Sequence, residues 1–172
     1  MTPTAVLREK SNRMNAAHLH LVVNHLPVLG TAFGVVVLAF GLWKRSEDIK
    51  RLAVLWLAIT GLLAIPAYLT GEPAEDLVKG LPGVAHDLIE EHEEAAGVAL
   101  GGSLALGIFA VTGLYIFRRQ RPLARWFCVT SLLVGIIVSG LMGWAANLGG
   151  QVRHPEIRSG AAPSIPPNPP SP

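Results

Sequence analysis

Six histidines are the residues of this chain best equipped for chemistry: His18, His20, His25, His86, His92 and His154. A neutral imidazole offers a nitrogen lone pair to iron, copper or zinc. Three of the six crowd into His18-Leu19-His20-Leu21-Val22-Val23-Asn24-His25-Leu26-Pro27, which leads into the apolar run Val28 to Trp43. On a helix, His18 and His25 share a face ~10.5 Å apart, whereas His20 and His25 diverge by about 140°. His86 and His92 diverge by about 120° on the same geometry. His86 and Glu90 form an i,i+4 pair that could share an ion. The His-Glu-x-x-His of hydrolytic zinc sites is absent. So is the Glu-x-x-His of di-iron bundles, because Ile89 stands three before His92. The one cysteine, Cys128, excludes an intrachain disulfide and any Cys-built metal or iron–sulfur centre within a single chain. A site must therefore be assembled between helices, for example from His25 of the first and His92 of the third.

Those helices read as membrane spans. The chain has 172 residues, 51% of them hydrophobic and 15% charged; soluble chains carry about 25% charged residues. Apolar runs at about 20–43, 52–70, 95–117 and 126–148 each suffice to cross a bilayer, which needs ~20 residues. Residues 1–17 form a polar lead-in. A signal peptide is not expected there, because the apolar stretch is too long and no small-residue cleavage site follows it. Residues 18–158 make one four-span membrane domain, and 159–172 form a Pro-rich tail expected to be disordered. Pro66 is expected to kink the second span. The connection 71–94 is interrupted by Gly80-Leu81-Pro82-Gly83, and a helix is expected to restart near Val84. The fold class is all-α, an integral membrane four-helix bundle. The two halves are weakly alike, which suggests a duplicated helical hairpin without establishing it.

Counting four spans puts the N-terminus, the 71–94 connection and the C-terminus on one side of the membrane, together with all six histidines. The short turns 44–51 and 118–125 lie on the other side. They hold eight of the chain's 14 Lys and Arg: Lys44, Arg45, Lys50, Arg51, Arg118, Arg119, Arg121 and Arg125. The positive-inside rule therefore puts the turns in the cytoplasm and both termini in the periplasm of a cell with an inner membrane. Arg8, Lys10 and Arg13 pull the other way. Trp43, Tyr115, Phe117 and Trp126 fall at the basic interface, and Tyr68 and Trp144 near the other, as an aromatic belt requires. The small net charge of +2, with the basic residues split among turns, argues against nucleic acid as a partner.

A histidine at the end of a span can simply rest in the headgroup zone. Six on one side and none in mid-span make a shared role the sharper reading, because an ionisable group inside a span is costly unless paired or functional. Two imidazoles on opposite helices, with small residues making room, can hold a b-type haem. Gly30, Ala32 and Gly34 below His25, and Gly97, Gly101 and Gly102 below His92, supply small residues; glycines also serve as close-packing points between membrane helices. Arg153, beside His154, could pair with a haem propionate. Copper or zinc is the rival, held among His18, His20, His25, His86, Glu90, His92 and His154. Eight acidic residues in 71–94 (Glu72, Glu75, Asp76, Asp87, Glu90, Glu91, Glu93 and Glu94) surround that side and are also compatible with plain solvation. A pH-sensing role and a structural or partner-binding subunit without cofactor complete the alternatives.

The pattern His20-x4-His25-x-Pro27 resembles the first-helix signature of a bacterial four-helix membrane domain family of unknown function: His-Pro, a short apolar gap, then His-Phe-Pro. His92, opening the third helix, and the closing Gly149-Gly150 with Arg153-His154 match further features of that family. Leu21 and Leu26 stand where the family has proline and phenylalanine, and the closing gap is shorter. Some members are joined to c-type cytochrome domains. The resemblance thus implies a redox or haem setting, with a c-type cytochrome or other redox subunit as partner; the sequence is also compatible with an oligomer but does not give its state. It implies no activity. The sequence alone leads to a membrane-embedded haem b electron-transfer subunit with axial ligands drawn from His20, His25, His92 and His154, and to no enzyme acting on its own.

Overall fold

The computed structural model describes residues 18–79, 84, 86–118, 122–154 and 157–158. The lead-in 1–17, the tail 159–172 and the Gly80–Gly83 break lie outside them. Five helices follow in order: α1 (His25–Lys44), α2 (Glu47–Leu69), α3 (Gly71–Val78), α4 (His86–Ile116) and α5 (Arg125–Arg153). Residues 18–23 are also helical and lead into α1 through Asn24. Pro27 accounts for that interruption: it has no N–H for the Val23 carbonyl, and its ring crowds that carbonyl. α2 runs through Pro66 without ending there.

Among the described residues, four helical stretches are long and apolar enough to cross a membrane: His18–Lys44, Glu47–Leu77, His86–Ile116 and Arg125–Val152. Each is longer than the apolar run that marks it. The extra turns are polar residues that continue the helix past the hydrocarbon, because a helix satisfies its own backbone whether lipid or water surrounds it. Outward positions are large and apolar, such as Phe33, Val36, Ile108 and Ile137. An apolar exterior of this extent matches lipid, not water.

The four long helices pack in a ring, α1 on α2, α2 on α4, α4 on α5 and α5 on α1. Leu38, Val54, Leu57, Leu106, Phe127 and Val138 fill the middle and the basic half of the core. Glycines set the close approaches. A Cβ on Gly61 would stand 2.7 Å from the Ser103 carbonyl oxygen and 3.0 Å from Gly107 Cα. The Phe127 ring lies directly on Gly113. In the α1–α2 seam the Trp56 indole donates to the Gly30 carbonyl at 2.8 Å, which meets the need for every polar group in lipid to find a partner.

The basic end is tied together by Glu47. Its carboxylate takes the Leu123 N–H at 2.6 Å and pairs with Lys50 at 2.7 Å and Arg51 at 3.3 Å. Arg51 in turn donates to the Phe117 carbonyl at 2.8 Å. The two short turns are thus joined across the bundle. Lys44 lies over the Trp43 ring and Arg118 over the Tyr115 ring, 4.3 Å and 4.0 Å from the centroids.

A two-histidine site at the acidic end

The ring of helices brings residues of distant sequence to the end opposite the basic turns. His20 reaches from the first span to the C-terminal end of α2. Its Nδ1 lies 3.1 Å from the Ala67 carbonyl and 3.1 Å from Thr70 Oγ1. Thr70 Oγ1 already donates to the Pro66 and Ala67 carbonyls at 2.9 Å and 3.0 Å. His92 reaches from α4 to α5, with Nδ1 2.9 Å from the Ala145 carbonyl. Its ring lies flat on Gly149, where a Cβ would come within 3.0 Å of Cε1 and 3.4 Å of Nε2.

A carbonyl oxygen only accepts, so Nδ1 carries the hydrogen in both rings. Nε2 is left with its lone pair. Among the described residues nothing hydrogen-bonds to Nε2 of either histidine. Donation of the second ring nitrogen to a backbone carbonyl is also how proteins orient a histidine that ligates metal.

The two rings belong to helices on opposite corners of the ring. Their level follows from packing. Val35 of α1 sits against Gly135 of α5. Counting eleven residues from that contact towards the histidine end, about 16 Å at ideal helical rise, reaches Asn24 on one side and Ala146 on the other, next to the carbonyl that receives His92. Both histidines are half-buried. Small residues meet each ring: Ala67 and Gly71 at His20, beside Thr70, and Ala145 and Gly149 at His92. The apolar core also divides here. Ala95, Ala145 and Leu148 of α4 and α5 form a separate cluster, with no buried residue of α1 or α2 in it.

The other four histidines are exposed and do not join this pair. His25 Nδ1 bonds the Leu21 carbonyl of its own helix at 2.6 Å, which turns the ring away from the interior. His18 precedes it on the outer surface. His86 and Glu90 are exposed together on the first turns of α4, and His154 lies at the end of α5. The glycine lining expected below His25 is instead a packing seam: Gly30 and Gly34 press on Thr60 and Leu57. Ala32 and Gly101 face outward. Among the described residues no three His, Cys, Asp or Glu side chains gather as a metal site.

One partner, Thr70, is not foreseen from the sequence, which carries no signal for it. Asn24 follows His20 by one helical turn, inside an apolar run. Around the site, Glu72, Asp76, Asp87, Glu90, Glu91, Glu93 and Glu94 are exposed. Glu75 pairs with Lys79 at 2.7 Å and holds its ammonium above the ordinary value. No protein-family model, curated protein or solved structure matches the chain.

Proposed function

We propose that this four-span membrane protein binds haem b between His20 and His92 and serves as an electron-transfer subunit. The observation that carries the reading is the matched pair of imidazoles. Each donates Nδ1–H to a carbonyl of a neighbouring helix, leaves Nε2 free, and stands beside an alanine and a glycine at the acidic end of the bundle. A tetrahedral zinc site asks for three or four ligands, and two imidazoles suit haem iron better.

When bound, haem supplies a one-electron couple. The chain's own groups do the rest. The Ala67 and Ala145 carbonyls fix the tautomer and ring plane of each histidine and raise its basicity. The Ala95, Ala145 and Leu148 cluster keeps water from the membrane side of the site. The eight basic residues of the two turns set the histidine end in the periplasm of a bacterial inner membrane. The exposed carboxylates there suit a basic redox partner such as a c-type cytochrome, since opposite charge speeds encounter.

The test is a visible spectrum of detergent-purified protein, made with haem supply, oxidised and then reduced. A Soret band with sharp reduced α and β bands is expected. A colourless protein retaining no haem overturns the reading.

A further inference from the structure

One polar group a helical turn from His20 has no role yet. Asn24 Oδ1 is buried and accepts no hydrogen bond among the described residues. The backbone N–H of Asn24 bonds the His20 carbonyl at 2.9 Å, so the residue sits one helical turn inside His20 on the same face. Counting from the Val35–Gly135 contact brings it level with the Ala145 carbonyl that holds His92. A buried carboxamide oxygen without a donor is disfavoured at membrane depth.

The site is therefore rich in acceptors. His20 Nε2, His92 Nε2 and Asn24 Oδ1 all offer lone pairs, and no described residue donates to any of them. Such a set suits an electron-poor centre, with the imidazoles as ligands and the carboxamide as a dipole turned towards it. Other buried orphans, Ser131 Oγ and Ser139 Oγ, lie on α5 and not on the histidine face of α1.

We propose that Asn24 is a positioning residue of the His20–His92 site, and that the negative end of its carboxamide dipole lowers the reduction potential of the bound haem. The proposal rests on the haem reading above. The physical reason is that a negative dipole end beside the iron stabilises the oxidised centre, which carries one more positive charge than the reduced one.

The experiment is a redox titration of the purified haem protein, wild type against Asn24→Leu, Asn24→Ser and Asn24→Asp. Asn24→Leu keeps the size and removes the dipole. Its potential should rise, by as much as a tenfold change in the oxidised-to-reduced ratio at fixed applied potential, about 59 mV for one electron. Asn24→Asp retains the acceptor and should stay at or below wild type. If Asn24→Leu fails to fold or to keep haem, Asn24→Ser is read in its place and should also rise. A purely structural Asn24 would leave the potential of every haem-retaining variant unmoved, and that result overturns the assignment while the haem reading stands. A wild-type protein without haem overturns both.

Discussion

At the scale of single residues, histidines of one type divide sharply by what holds their Nδ1. His20 and His92 are held by carbonyls of other helices, whereas His25 is held by its own turn. The set of six was legible in the sequence, and so was its gathering at one end. The choice within the set was not, because His20 and His25 both open the same apolar run. What separates them is rotation about the helix axis. That rotation is fixed by the interior stripe Asn24, Pro27, Thr31, Gly34 and Leu38, which becomes clear only once α2 and α5 are packed against it. His20 falls on this stripe and His25 does not. Replacing His18, His25, His86 and His154 together by alanine should therefore leave the reduced spectrum and the haem content of the wild type. Loss of the Soret band in that variant would move the site to the outer surface.

At the scale of elements, the spans were readable because each is an uninterrupted apolar run flanked by charge. The tight seams were not, since glycine can serve as cofactor lining or as a packing point. Gly30, Gly34, Gly61 and Gly113 all meet a side chain or backbone of another helix. Gly61 is the most constrained case, because what a methyl group would strike is the backbone carbonyl of Ser103 and the Cα of Gly107, neither of which can rotate aside. Gly61→Ala should cost about 1–3 kcal/mol by overpacking. It should show as a lowered unfolding midpoint in a detergent thermal or denaturant melt. Gly101→Ala, which meets nothing within 4 Å, should leave the midpoint in place. Equal midpoints for the two variants would contradict the packing described for the α2–α4 seam.

At the scale of the whole molecule, two chemically different ends are separated by an apolar middle. Glu47 binds the turns to each other at the basic end, using a backbone donor of one turn and two cations of the other. At the acidic end the core divides, most of the carboxylates face outward, and His20, His92 and Asn24 are each partly buried. The division into ends follows from counting spans and charges along the chain. That His20 and His92 belong to helices at opposite corners follows only from the ring order of the helices, which four similar apolar runs do not specify. A basic end tied by Glu47 and a divided acidic core are compatible with the proposed haem at the acidic end.

The most direct measurement is the reduced-minus-oxidised visible spectrum of His20→Ala and of His92→Ala, each purified beside the wild type. Loss of the sharp α and β bands in both, with the bands intact in the wild type, is the predicted result. Bands that persist unchanged in either variant would contradict ligation by this pair.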